Sequence, residues 1–257
     1  MIGLILGTAE GKNILSQLNK YTDDIFVSTA TDYGGELLKK FKFRAINTRP
    51  LELTELIEIL QKNRVKLLLD ASHPYAVVIT ENAIKACKKL GITYMRYERK
   101  SVLDNFKENN NIITLRNYNE LKKKISHING TILNTTGSNN IEKFIDMKLE
   151  NRIIHRVLPS TKVMEKCFKL GVSTENIIAI KGPIGYELNC GFIREYDVKA
   201  MILKDSGVQG GTGEKLKAAV DMGIKAFVIE RHNIKAQNSF SSEKEAVDFI
   251  VDKLSLI

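Results

Sequence analysis

The feature that most constrains this chain is an alternation sustained along nearly its whole length. Short β-branched apolar runs are separated by amphipathic, helix-like stretches. That pattern implies right-handed βαβ units around parallel sheet covered on both faces. In the first part the strand candidates are Ile2–Leu6, Ile25–Ser28, Lys66–Leu69 and Thr93–Tyr97. Between them, Gly11–Leu18, Leu37–Lys40, Leu51–Gln61 and Val77–Leu90 read as helices. Leu53, Leu56, Ile57 and Leu60 recur at helical spacing and mark one buried face. The polar stretch Asp104–Asn111 then interrupts the pattern as a linker or long loop.

Beyond the break, strands are expected at Ile112–Leu115, Thr131–Asn134, Ile153–Val157, Ile177–Ile180, Ala200–Leu203 and Ala226–Ile229. Helices are expected at Asn139–Asp146, Thr161–Leu170 and Gly213–Met222. Six further strands would strain one open sheet. The expectation is therefore an α/β protein of two Rossmann-like domains with parallel sheets, residues 1–103 and 104–257.

Composition narrows the partners. Lys and Arg exceed Asp and Glu by 39 to 30 in 257 residues, a net charge of +9. Such a balance suits a polyanionic small molecule or nucleic acid. The clusters Lys39-Lys40, Lys88-Lys89 and Lys122-Lys123-Lys124 sit in helix-like segments and read as solvated faces. Aromatics at base-stacking spacing are absent, so nucleic acid is not an expected partner. No run approaches the roughly 20 apolar residues of a membrane span, and Met1–Gly7 lacks a basic flank or cleavage motif. A soluble, cytoplasmic protein without membrane partners is expected. Cys87, Cys167 and Cys190 form no C-x-x-C pair and read as reduced core thiols. No His or Cys grouping has metal-ligand spacing.

Ligands of parallel sheets bind beyond the carboxyl ends of the strands. That rule selects six loops: Gly7–Glu10, Thr29–Gly35, Asp70–Tyr75, Thr135–Ser138, Lys181–Gly185 and Lys204–Gly213. In the first, Gly7, Thr8, Ala9 and Glu10 join a buried strand to a helix, where free amides and the helix dipole favour an anion. The full G-x-G-x-x-G fingerprint is missing, and a tight βα turn would also use Gly7. The second strand ends Ser28-Thr29-Ala30-Thr31, neither acidic nor basic, so these hydroxyls suit NADH or NADPH equally. Asp70-Ala71-Ser72-His73-Pro74-Tyr75 places Ser72, His73 and Tyr75 at a sheet edge, where His73 can bind a carboxylate or donate a proton. His127, His155 and His232 have no partner pattern. In Lys204-Asp205-Ser206-Gly207-Val208-Gln209-Gly210-Gly211-Thr212-Gly213, a charged pair ends a strand and four glycines follow. Such a loop can wrap an anion with backbone amides while Lys204 adds a point charge.

Taken in order, several segments resemble the precorrin-6A reductase family of cobalamin biosynthesis, whose anaerobic members act on cobalt-precorrin-6A. They are Ile5-Leu6-Gly7-Thr8-Ala9-Glu10, Asp70–Ala76, Tyr94–Arg99, Thr136-Gly137-Ser138, Arg156–Pro159, Lys181-Gly182-Pro183 and Lys204–Gly207. The chain departs from the family's frequent Gly-Gly-Thr first loop and from its Asp-x-Gly-Gly after the lysine. The resemblance implies two Rossmann-like domains with an active site in the cleft between them. It implies hydride transfer from NADPH or NADH to a tetrapyrrole substrate bearing several carboxylates. On that reading Lys204, His73 and Tyr75 are catalytic, Lys204 by stabilising charge on the acceptor ring and any of the three by relaying a proton. Gly7, Thr8, Ala9, Glu10, Ser28, Thr29, Ser72, Gly137 and Ser138 would hold the cofactor. Arg96 and Arg99 would clamp substrate carboxylates, with Asp205, Ser206 and Gly207 also touching substrate. A nucleotide-binding transferase or a non-catalytic ligand sensor on the same fold is the alternative. Oligomeric state is not legible.

Overall fold

A computed structural model describes residues 1–99, 101–106, 108–231 and 236–256. The chain divides into two units, Met1–Arg99 with His232–Ile257, and Lys100–Arg231.

The first unit starts with β1 (Ile2–Leu6), α1 (Ala9–Leu18), β2 (Ile25–Ser28), α2 (Asp32–Glu36) and β3 (Ala45–Asn47). It continues with α3 (Leu53–Lys62), β4 (Leu67–Ala71), α4 (Val77–Leu90) and β5 (Thr93–Tyr97). The second unit holds β6 (Ile112–Leu115), α5 (Tyr118–Ile125), β7 (Thr131–Asn134), α6 (Ile141–Met147), β8 (Ile153–Val157) and α7 (Thr161–Lys169). It goes on through β9 (Ile177–Ala179), α8 (Tyr186–Glu195), β10 (Val198–Lys204), α9 (Thr212–Asp221) and β11 (Lys225–Ile229). The chain then supplies β12 (Ser239–Phe240) and α10 (Glu243–Leu254) to the first unit.

Each unit is built on a six-stranded sheet, in the orders β12-β5-β4-β1-β2-β3 and β6-β11-β10-β7-β8-β9. The described pairings are all parallel. Central strands are mainly apolar, as burial on both faces requires: every residue of β1 and β2 is buried, and polar residues such as Ser28 and Asp70 stand toward the strands' carboxyl ends. The two orders are the same pattern with one exchange. After β5 the chain moves on to the second sheet and makes its edge strand, β6. After β11 it supplies the first sheet's edge strand, β12, which pairs Ser239 with Arg96 and Phe240 with Tyr97.

The expected second domain of 104–257 therefore needs correction. Residues of β12 and α10 belong with the first unit, because Val247, Ile250 and Val251 of α10 complete the core formed by Ile14, Leu15 and Leu18 of α1. Leu37–Lys40, expected as a helix, is a turn. The helix there is α2, begun by Thr31, whose hydroxyl accepts from Gly34 N–H at 3.1 Å. The strand expected at Lys66–Leu69 runs on to Ala71, held by pairing of Ile5 with Asp70 and Leu6 with Ala71. Cys87, Cys167 and Cys190 are buried and unbridged. Among the described residues, no helix is long and apolar enough to cross a membrane.

Candidate active site

In each sheet the strand order reverses at one point, between β1 and β4 in the first and between β7 and β10 in the second. Crevices open at such points, beyond the carboxyl ends of the strands. In the first unit a cavity of about 720 Å³ lies there, within the usual range for a small-molecule site. Its wall includes Gly7, Thr8, Ala9, Ser28, Thr29, Ser72, His73, Tyr75 and Arg99, so nine of the expected site residues share one cavity. Lys12, Arg49 and Tyr33 also line it, and none of these three was singled out from the sequence.

Thr8 starts α1. Its hydroxyl accepts from Gly11 N–H at 3.3 Å and can donate to the Ala71 carbonyl at 3.4 Å. The first-turn amides of α1 lack intrahelical acceptors and carry the positive end of the helix dipole. Gly7 serves close approach rather than unusual dihedrals: a Cβ there would lie 3.1 Å from the His73 nitrogen and 3.4 Å from Ser72 Cα. The β1 and β4 loops touch at that point. His73 Nδ1 accepts from Tyr75 N–H at 3.3 Å, and the two rings lie 5.8 Å apart.

Two expected ligand contacts turn inward instead. Arg96, expected to clamp substrate, is 2% exposed and bound to Asp70 at 2.8 Å. Its guanidinium also donates to Ser72 Oγ at 2.9 Å and Thr80 Oγ1 at 3.2 Å. Asp70 in turn accepts from Ser72 N–H, the Thr80 hydroxyl and the Tyr94 hydroxyl, at 2.9, 2.8 and 3.1 Å. Burial and the Asp70 charge push the Tyr94 hydroxyl well above its ordinary range and Cys87 up to about 12. A charge this deep is tolerated because every part of it is matched. Glu10, expected against the cofactor, is buried and held by Arg99, with Nε–Oε1 at 2.5 Å and Nη2–Oε2 at 2.7 Å. That pair neutralises the one carboxylate in the first turn of α1.

The remaining expected residues belong to the second unit. Gly137 follows β7 in a left-handed conformation (φ 90°), and Ser138 opens a single tight turn. Lys204 ends β10 partly buried, and burial together with the neighbouring Lys143 lowers its affinity for a proton. Asp205, expected at the substrate, is the organiser of its loop. It accepts from Gly207 N–H at 3.3 Å and pairs with Arg231 Nε at 3.0 Å. Ser206 N–H donates to Thr212 Oγ1 at 2.9 Å. The loop is therefore bonded into place at Asp205, Ser206 and Thr212. His155 is a core residue: Asn134 lies 2.9 Å from its Nδ1, and burial drives its pKa down to about 4. His232 lies outside the described residues.

Residues 1–251 match the family model described as precorrin-6x reductase CbiJ/CobK. The chain belongs to the precorrin-6x reductase family. It is 33% identical to a cobalt-precorrin-6A reductase of Methanocaldococcus jannaschii, over 97% of both chains. It is 30% identical to one of Priestia megaterium, over 98% of this chain and 99% of that one. A precorrin-6A reductase of Mycobacterium tuberculosis is 24% identical, over 89% and 87%. Among solved structures, CobK precorrin-6A reductase superposes with a TM-score of 0.76 at 17% identity, covering 98% of this chain and 96% of that one. The family is one of reductases, which implies a nicotinamide cofactor. The first cavity fits it, with helix-start amides beside Thr8, the Ser28 hydroxyl and the Arg49 cation in the wall. The Thr29 hydroxyl is turned instead to the Thr31 carbonyl at 3.1 Å and the Asn47 carbonyl at 3.4 Å. Among the described residues no cluster could hold a metal ion.

Proposed function

We propose that this reductase acts in the cytoplasm on cobalt-precorrin-6A with NADPH as reductant. The observation that carries the reading is the coincidence of two things. The chain matches the reductase family over residues 1–251, and a cavity with a dinucleotide's donor set opens at the β1/β4 reversal. Family membership favours a reductase over the transferase and sensor alternatives. The cobalt form is supported by the relatives named for it, at 33% and 30% identity, against 24% for the relative named without it. The end of β2 suits either cofactor, and NADPH is favoured by a cation in the same cavity wall. Arg49 lies in the same wall and is mostly exposed, so it can meet a 2′-phosphate while still touching Glu55 at 2.6 Å.

The nicotinamide supplies the hydride. The chain's own residues hold, orient and balance charge. The α1 start with Gly7, Thr8 and Ala9 receives the pyrophosphate, and the Arg99–Glu10 pair keeps that region from repelling it. Ser28 meets the adenosine ribose, and Ser72 positions the nicotinamide end. His73 and Tyr75 relay a proton at the cavity wall. Lys204 offsets the negative charge the macrocycle carries before it is protonated, and Gly137, Ser138, Ser206 and Gly207 present backbone to the ligands.

Purified protein is incubated anaerobically with cobalt-precorrin-6A and either cofactor while nicotinamide absorbance and the macrocycle spectrum are followed. Stoichiometric oxidation of NADPH with conversion of the macrocycle supports the reading. An unchanged macrocycle spectrum overturns it.

A further inference from the structure

The wall of the first unit's cavity includes apolar side chains that its cores do not use. Tyr33 of α2 and Leu37, which caps the end of that helix, stand one turn apart on one side of it. They are 62% and 41% exposed, and neither belongs to the core on either face of the sheet. Among the described residues the Tyr33 ring packs on no other ring and its hydroxyl makes no hydrogen bond. Pro50, from the loop between β3 and α3, lies in the same wall. Grouped in a concave wall, these side chains leave apolar area in water that a flat ligand can cover.

The segments that carry them are fixed to one another. Asp32 accepts from the Thr48 hydroxyl at 2.6 Å, which ties the first turn of α2 to the loop after β3. A Cβ at Gly35 would lie 2.6 Å from Thr48 Cγ2, so the helix rests against that loop. Asn47 Nδ2 donates to the Arg49 carbonyl at 2.6 Å and to Ser28 Oγ at 3.0 Å, which holds the loop on its other side. Tyr33 and Arg49 are therefore presented by two segments bonded together, and Ser28 is bonded into the same group.

Strand order decides what the ring meets. Along β4-β1-β2-β3, the α1 start after β1 suits a pyrophosphate, and the nicotinamide lies toward β4. The adenosine half then falls toward β2 and β3, where Tyr33, Arg49 and Pro50 stand. Adenine offers a flat π face, and a tyrosine ring covers it while losing little rotamer freedom.

We propose that Tyr33 is the adenine platform of the cofactor site. Its ring stacks on the base, Leu37 and Pro50 complete the apolar seat, and Arg49 meets the phosphate on the adjoining ribose. Placing a dinucleotide in this cavity rests on the proposed function. The platform makes Tyr33 a specificity residue, one that favours a dinucleotide over a nicotinamide mononucleotide.

The test uses the full chain with Tyr33→Ala and Tyr33→Phe. Calorimetry gives dissociation constants for NADPH, for adenosine 2′,5′-bisphosphate and for reduced nicotinamide mononucleotide. Tyr33→Ala is expected to raise the first two about tenfold and to leave the third unchanged. Tyr33→Phe, which keeps the ring, should stay within about twofold of wild type. Wild-type affinity in Tyr33→Ala overturns the platform. So does an equal loss in Tyr33→Phe, which would credit the hydroxyl, or a loss shared by the mononucleotide, which would mean a distorted site. A loss confined to a parallel titration with uroporphyrin would give the ring to the macrocycle and overturns it too. None of the three cofactor titrations contains macrocycle, so failure to reduce cobalt-precorrin-6A removes the proposed function and leaves the platform standing. Wild-type protein that binds the mononucleotide but not the bisphosphate overturns the platform alone.

Discussion

The two units place the same device at the same point of their sheets and finish it differently. β4 and β10 occupy corresponding positions in the two strand orders. At the end of each, an aspartate accepts the amide two residues ahead and pairs with an arginine from the next strand over. Asp70 binds Ser72 N–H and Arg96 of β5, and Asp205 binds Gly207 N–H and Arg231 after β11. Both carboxylates serve to fix the loop that follows. In the first unit the pair is sealed, with Thr80 and Tyr94 completing its shell. In the second the pair is more open, Lys204 precedes it, and Arg156 and Lys215 add cations. The first unit's pair is closed off from solvent at both partners, whereas the second unit's pair leaves its arginine 16% exposed.

That contrast breaks most visibly on stability. Arg96→Met leaves Asp70 buried without its partner and should cost about 3–5 kcal/mol. Arg231→Met, with solvent closer at hand, should cost about 1–3 kcal/mol. Urea titrations of both variants measure the difference, and equal losses would erase the distinction between sealed and open pairs. On the catalytic side, Lys204→Ala should slow single-turnover hydride transfer roughly a hundredfold with both ligands saturating. A normal rate would reduce Lys204 to a peripheral contact.

Lys215 sharpens the comparison through pH. Its folded pKa of about 7 lies below the ordinary 10.5, so below pH 7 the amine is charged in both states and the burial penalty is felt in full. Between those values the unfolded chain binds a proton the folded chain has released, and wild-type stability recovers as pH rises. The gain in melting temperature from Lys215→Met should therefore be larger at about pH 6 than at about pH 9. A pH-independent gain would mean the amine is not strained by its surroundings. The smallest effect expected is in the first unit: Arg49→Ala should weaken NADPH about tenfold and leave NADH unchanged, measured by fluorescence titration. Equal loss for both cofactors would remove Arg49 from the 2′-phosphate.

Much of this was legible in the sequence, because the parallel-sheet strands are continuous apolar runs and their loops carry the polar residues. β3 escaped because Ala45-Ile46-Asn47 is short, lies at the sheet edge and leaves Ile46 exposed. α8 escaped because Asn189, Cys190 and Gly191 weaken a helical signal that packing restores. α10 was not among the expected helices, although Ala246, Val247, Ile250 and Val251 share one buried face, and nothing local says that it closes the first core instead of the second. Arginines were the hardest to read. Arg96 sits on a strand between apolar neighbours, and alternation alone cannot tell a guanidinium aimed at a ligand from one aimed at Asp70. Lys215 looked like any lysine of an amphipathic helix, and only its burial sets it apart.

The exchange of edge strands has a consequence for how the protein is made. As the chain leaves the ribosome, β1 to β5 can pair early, but their sheet waits for β12 and α10, which emerge only after the whole second unit has been synthesised. Until then Ile14, Leu15 and Leu18 lack the α10 side chains that cover them. The second unit, continuous from residue 100 to 231, can fold first, so the unit whose strands are made earlier is the one that is finished later.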